Sequence, residues 1–249
     1  MKKKLIAFDL DGTLAPSKSP LPDQMEKLLT SLLDKYQVCI ISGGKYQLFQ
    51  TQVLANLHST PKQLAKLHLM PTSGTRYYRY RNGDWEQVYA EDLLPEQKKK
   101  IVKALNEGLD ELKWRPEKTW GEVVEDRDSQ ITLSILGQEA PLEEKEAWDP
   151  DGSRKIKLRD VIAPKIPEFE VRAAGTTSID VTKPGIDKAY GIQKLLDMLS
   201  ISKEEVLYMG DKAMEGGNDY PVKAMGIETI EVKDWQDTAV SIQAILDVS

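Results

Sequence analysis

Carboxylates gather at the ends of apolar runs in this chain. Asp9 and Asp11 follow one run in "LIAFDLDGTLA", Ser42, Gly43 and Gly44 follow "QVCII", and Gly210-Asp211 follows "VLYM". If those runs are parallel strands, the three ends offer carboxylates, a hydroxyl and glycine-freed amides to one crevice. Carboxylates brought that close repel one another unless they share a cation, and an oxygen-only ligand set suits Mg2+. Amides freed by glycine are able to approach phosphate oxygens. Phosphate-ester hydrolysis needs acceleration of up to about 10²¹-fold, whereas a general acid supplies roughly 10² to 10⁴. A carboxylate nucleophile that splits the reaction through an aspartyl-phosphate is therefore the chemistry these residues suggest. A lone Asp-x-Asp before glycine reads equally well as a polar strand end with turn chemistry. The weight comes from three such ends in order, each behind an apolar strand.

The elements that would position these residues alternate. "KKLIAF" has strand length, "PDQMEKLLTSLLDKY" places Met25, Leu28, Leu29, Leu32 and Leu33 at helical spacing, and "QVCIIS" is a second buried strand. This predicts a βαβ unit with parallel strands. The last quarter repeats the pattern: a helix over "GIDKAYGIQKLLDMLS", a capping box from Ser202 to Glu205, the strands "VLYMGD" and "IETIEV", and a helix from about Asp234. The middle differs, with Asn-Gly between the alternating runs of "RYYRYRNGDWEQVY", further alternation in "GEVVEDRDSQITLSIL" and "FEVRAAGTTSIDV", and helical stretches between them. The expected fold is α/β: a Rossmann-like parallel-sheet core, 1–85 and 186–249, with an inserted α+β cap domain, 86–185. Hinges are expected at the two crossings, near Gly83 to Trp85 and near Lys183 to Gly185.

The 249 residues suffice for one large or two modest domains without a metal or disulfide staple. The single cysteine, Cys39, permits no internal disulfide and lies in an apolar run, so it has no assigned role. The basic N-terminus meets Asp9 after a few apolar residues, which is no signal peptide, and no run approaches the ~20 residues of a membrane span. No membrane association is expected, and the setting is cytoplasmic. A formal charge of -6 argues against nucleic-acid binding.

"DLDGT" together with "GDKAMEGGND" resembles the haloacid dehalogenase superfamily of phosphotransferases, over nearly the whole chain. The resemblance implies that Asp9 attacks phosphorus and that Asp11 is general acid and then base. It implies a Mg2+ ion held by the Asp9 side chain, the Asp11 main-chain carbonyl and the last motif, which offers Asp211, Asn218 and Asp219. Asp211 is the best of these, with Asp219 a direct or water-mediated second. Ser42, with Gly43 and Gly44, fits the phosphoryl-binding loop, and Lys188 fits the lysine that bridges nucleophile and phosphate.

Within that superfamily the chain is most similar to the eukaryotic-type phosphomannomutases. "SIDVTKPGIDK" resembles their Ser-x-Asp-Val-x-x-x-Gly-x-Asp-Lys pattern, and Ser178 and Asp180 match residues that contact sugar hydroxyls. Those mutases grip the distal phosphate of the sugar with arginines. Arg127 matches one of them, but Gln138 and Lys145 stand at two others, and Lys18 stands at a fourth. Glutamine offers no cationic fork and lysine only a point charge. A mutase needs both phosphate sites and a phosphatase only one. The expected function is therefore a Mg2+-dependent phosphatase acting on a small phosphorylated metabolite, a sugar phosphate. A phosphohexomutase and a non-catalytic phosphosugar-binding module are the alternatives. The resemblance also implies homodimers through the cap, for which the sequence itself gives no warrant.

Overall fold

The computed structural model describes residues 2–248. The chain runs β1 (Leu5–Phe8), α1 (Asp23–Lys35), β2 (Gln37–Ile41), α2 (Tyr46–Gln52), α3 (Pro61–Leu64), β3 (Leu67–Met70), β4 (Arg76–Arg81) and β5 (Asp84–Ala90). Next come α4 (Pro95–Leu112), β6 (Val124–Asp126), β7 (Gln130–Ser134), α5 (Leu142–Trp148), α6 (Ser153–Ile162), β8 (Glu170–Ala174) and β9 (Ser178–Thr182). It closes with α7 (Lys188–Leu199), β10 (Val206–Gly210), α8 (Tyr220–Ala224), β11 (Glu228–Glu231) and α9 (Trp235–Asp247). Two compact units result: residues 1–90 with 187–249, and residues 91–186.

The first unit is built on a seven-stranded sheet in the order β11-β10-β1-β2-β3-β4-β5. From β11 to β3 the neighbours are parallel, and β4 and β5 are added antiparallel. β1 is buried throughout because both its edges are paired and both its faces covered. Ile6 and Phe8 join one apolar cluster with the buried stripe of α1, while Leu5 and Ala7 join the other with Ile192 and Leu195 of α7. The chain leaves β1 in one direction to β2 and β3 and returns on its other side as β10 and β11. The order reverses between β1 and β10, and ligand crevices form at the carboxyl ends of strands at such a reversal.

The Asn-Gly pair makes the expected tight hairpin, with Asn82 and Gly83 both at positive φ (55° and 90°). Its place in the chain differs from the expectation. β4 pairs with β3 through Leu69 and Tyr78, so the hairpin belongs to the large sheet. The chain passes between units at 90/91 and 186/187 rather than at 85/86 and 185/186, and Gly83 is a hairpin turn and not a crossing.

The second unit has a four-stranded antiparallel sheet, β6-β7-β9-β8, covered by α4 and α6. "GEVVEDRDSQITLSIL" and "FEVRAAGTTSIDV" each fold into two of its strands. Among the described residues no helix is long and apolar enough to cross a membrane. The histidine of β3, His68, is buried between Tyr77 Oη (2.7 Å) and Gln37 Oε1 (2.9 Å). Burial lowers its pKa to about 3, so it is a neutral core group. Burial also pushes the Cys39 thiol up, away from nucleophilic use.

Candidate active site

Asp9 continues β1 by one residue, its N–H donating to Met209 O at 3.0 Å. The strand thus delivers an almost wholly buried carboxylate, 3% exposed, to the crevice. Desolvation alone would keep such a group protonated. The compensating charge is Lys188, the first residue of α7, whose preceding Asp187 caps the helix by accepting the N–H of Tyr190. Lys188 Nζ lies 2.7 Å from Asp9 Oδ1 and 2.7 Å from Asp219 Oδ1. Burial would lower the pKa of Lys188, but the facing Asp9 and Asp219 outweigh it and raise it, so the ammonium stays charged. For Asp9 the balance runs the other way. Burial pushes its carboxyl up to about 7, against the pull of Lys188 and with the repulsion of Asp219 added.

The last motif folds back on itself to bring its carboxylates to the same place. Asp219 N–H donates to Lys212 O, and Lys212 N–H donates to Asp219 Oδ2 at 3.0 Å. Oxygens of Asp9, Asp211 and Asp219 then lie within 4.8 Å of one another. Three carboxylates face the buried Lys188 ammonium, with the exposed Lys212 Nζ 3.6 Å from Asp211 Oδ2, and a divalent cation would balance the negative charge that remains. Asp211 Oδ1 is buried without a hydrogen-bond partner, as is Thr13 Oγ1. A ligand oxygen held dry and unpaired fits a bound cation. Gly12 makes room for it: a Cβ there would stand 2.7 Å from Asp211 Oδ2, and its φ of +84° is open to glycine.

The remaining candidates divide. Asp219 is engaged as a partner of Lys188, of Lys212 N–H and of Tyr208 Oη, which also donates to Oδ1. Asp9 and Asp219 thus share Lys188, while Asp211 keeps an oxygen without a hydrogen-bond partner. Asn218 is exposed. The Asp11 side chain is turned to other partners, accepting from Lys18 N–H at 2.7 Å and Gln52 Nε2 at 3.3 Å. It is the main-chain carbonyl of Asp11 that the resemblance assigns to a cation. Ser42 follows β2, next to β1 in the sheet; it is 4% exposed, and its Oγ accepts the Gly44 N–H at 3.2 Å. A Cβ at Gly43 would meet open space.

In the second unit the structure brings Arg127 and Asp180 into one polar network. Arg127 Nε donates to Glu125 Oε2 at 2.8 Å, and Thr132 Oγ1 donates to Asp180 Oδ1 at 2.8 Å. Desolvation raises the Asp180 pKa against the pull of Arg127. Ser178 precedes Asp180 by two residues on β9 and so shares its face. Gln138 lies in the turn after β7 and Lys145 on α5. Lys18 touches the first unit's site through its main chain, at a positive φ of 56°.

Sequence reasoning missed Tyr208 and Gln52. A tyrosine inside the aliphatic run "VLYM" is a usable signal, since a buried phenol needs a partner. Gln52 stands among three glutamines of "YQLFQTQ" and carries no such mark.

The model of eukaryotic phosphomannomutase matches residues 25–248. The phosphomannomutase of Encephalitozoon cuniculi is 28% identical over 234 residues, covering 89% of this chain and 84% of its own length. That of Schizosaccharomyces pombe is 27% identical over 228 residues, with 88% and 85% covered. Among solved structures, an N-terminally truncated Plasmodium falciparum IMP-nucleotidase is similar with a TM-score of 0.74 at 18% identity, covering 100% of this chain and 71% of that one. An Aspergillus fumigatus trehalose-6-phosphate phosphatase gives 0.59 at 19%, covering 100% and 94%. At these identities the structural likeness is one of fold. The sequence match takes in both units and every carboxylate of the last motif, and the chain belongs to the eukaryotic phosphomannomutase family.

Proposed function

We propose that this enzyme removes the phosphoryl group of a small phosphorylated sugar through an aspartyl-phosphate on Asp9 and transfers it to water, with Mg2+ as cofactor. The observation that carries this reading is the buried contact of Lys188 with Asp9 and Asp219 beside the unpaired oxygen of Asp211. An oxygen of Asp9 attacks phosphorus as the bond from phosphorus to the ester oxygen breaks, and Asp11 gives that oxygen its proton. Water then attacks phosphorus, loses a proton to Asp11, and the bond to Asp9 breaks. Lys188 holds Asp9 in place and offsets charge on the transferring group, while Ser42 and the amides of Gly43 and Gly44 bind its oxygens. Mg2+ held by Asp9, Asp211 and the Asp11 carbonyl would supply further charge neutralisation and orientation.

Water as acceptor is supported by the pairing of Arg127 with Glu125 and by Gln138 and Lys145 standing where arginines would grip a distal phosphate. On this reading the unit 91–186 selects the substrate, and a cytoplasmic setting goes with it. A second reading, interconversion of hexose 1- and 6-phosphates, is favoured by the relatives, which are phosphomannomutases. Incubation with mannose 1-phosphate, Mg2+ and a trace of hexose bisphosphate separates the two. Free phosphate without mannose 6-phosphate supports the phosphatase, and mannose 6-phosphate without free phosphate overturns it. Turnover unchanged in Asp9→Asn would overturn the assignment of Asp9 as nucleophile, and binding of the sugar phosphate without turnover on either path would leave a binding module.

A further inference from the structure

Gln52 ends α2 with its side chain buried, 3% exposed, against the Asp11 carboxylate. Its Nε2 donates to Asp11 Oδ1, and the Lys18 main-chain N–H donates to the same oxygen. Its other amide atom, Oε1, is buried without a partner. Such an acceptor costs stability, so the amide is poorly explained as a packing element; a methionine of the same length would fill the space without the penalty. The two donors are also tied to each other. Leu21 N–H donates to Gln52 O at 2.9 Å, and Asn56 Nδ2 donates to that carbonyl at 3.1 Å, which binds the loop carrying Lys18 to the end of α2.

We propose that Gln52 is a positioning residue for proton transfer: with the Lys18 N–H it holds the Asp11 carboxyl by Oδ1 and so leaves Oδ2 as the oxygen that exchanges the proton. This rests on the reading of Asp11 as general acid and base. In the first step the proton on Oδ2 passes to the ester oxygen as its bond to phosphorus breaks. In the second, Oδ2 takes a proton from the attacking water. A carboxyl held at one oxygen cannot present the wrong one, and a displacement of about 1 Å costs on the order of a hundredfold in rate.

The test uses two esters that differ in their need for that proton. An alkyl ester, mannose 6-phosphate, leaves as an alkoxide unless protonated; 4-nitrophenyl phosphate leaves as a stable phenolate. Formation of the aspartyl-phosphate is followed in single-turnover experiments with Mg2+, for the wild type, Gln52→Met and Asp11→Asn. In Gln52→Met the rate with mannose 6-phosphate is expected to fall about ten- to a hundredfold. With 4-nitrophenyl phosphate it is expected to fall several times less, the same bias as in Asp11→Asn, while the melting temperature holds or rises. Equal losses on both esters, or no loss on either, overturn the positioning role. If Gln52→Met does not fold, Gln52→Leu, which removes the amide donor without adding a titratable group, makes the same comparison. No aspartyl-phosphate in the wild type overturns the proposed mechanism and this inference with it, a result distinct from equal losses in an active enzyme.

Discussion

Lys188 is the residue on which the electrostatics of the site turn, because it faces both Asp9 and Asp219 at 2.7 Å with almost no exposure. Removing one partner of a buried ion pair costs about 3–5 kcal/mol, since the other charges are left uncompensated. Lys188→Met is therefore expected to lose about that much stability at pH 7.5 in urea unfolding with chelator present. At pH 5, where the carboxylates it leaves behind take up protons more readily, the loss should be smaller. Asp9 carries its own signature. Its carboxyl is raised from 3.8 to about 7, so the folded state binds a proton that the unfolded state has released. Its contribution is fully present below about pH 4 and is lost as pH rises through about 7. In chelator, wild-type stability should fall from pH 5 to pH 8 relative to Asp9→Asn, and parallel curves would contradict the assignment. The same substitution is expected to reduce phosphate release by at least about a thousandfold.

At the scale of elements, α7 must lie close enough to the sheet to drive Lys188 inward, and Gly191 permits it. A Cβ there would stand 2.7 Å from Ser73 O and 2.8 Å from the Gly74 Cα, both part of the turn after β3. Gly191→Ala is expected to push α7 outward and to cost about 1–3 kcal/mol, together with a drop in kcat, measured by denaturation and turnover. Such contacts explain what the sequence disclosed. β1, α1, β2, β10 and α9 were legible because each is a local pattern, as were the Ser202 capping box and the Asn82-Gly83 turn. The sheet to which β4 and β5 belong was not, because alternation reads the same in either sheet and the decision lies in the pairing of Leu69 with Tyr78. That Asp9, Ser42 and Asp211 would stand just past three strands was legible from the apolar runs before them. The partners of Asp219 were hidden in how residues 212–219 fold back on themselves, and Gln52 in a tertiary contact with no sequence pattern behind it.

At the scale of the molecule, the uncompensated carboxylates should make the folded protein a Mg2+ binder. At a hundred times the Kd, a ligand that binds the folded state alone adds about 2.7 kcal/mol. For a protein of this size that is roughly a 5–10 °C rise in Tm. Mg2+ at pH 7.5 is expected to produce it in the wild type and much less in Asp211→Asn, as scanning calorimetry would show.

The division of the first unit between the two ends of the chain also sets an order of synthesis. Asp9 and Ser42 leave the ribosome early, but β10, the strand that closes one edge of β1, and all of Lys188, Asp211 and Asp219 come after the whole of 91–186. A nascent chain therefore holds an apolar strand with one open edge while the inserted unit is made and is free to fold by itself. Asp9 is translated before the residues that surround it and is among the last parts of the site to be completed.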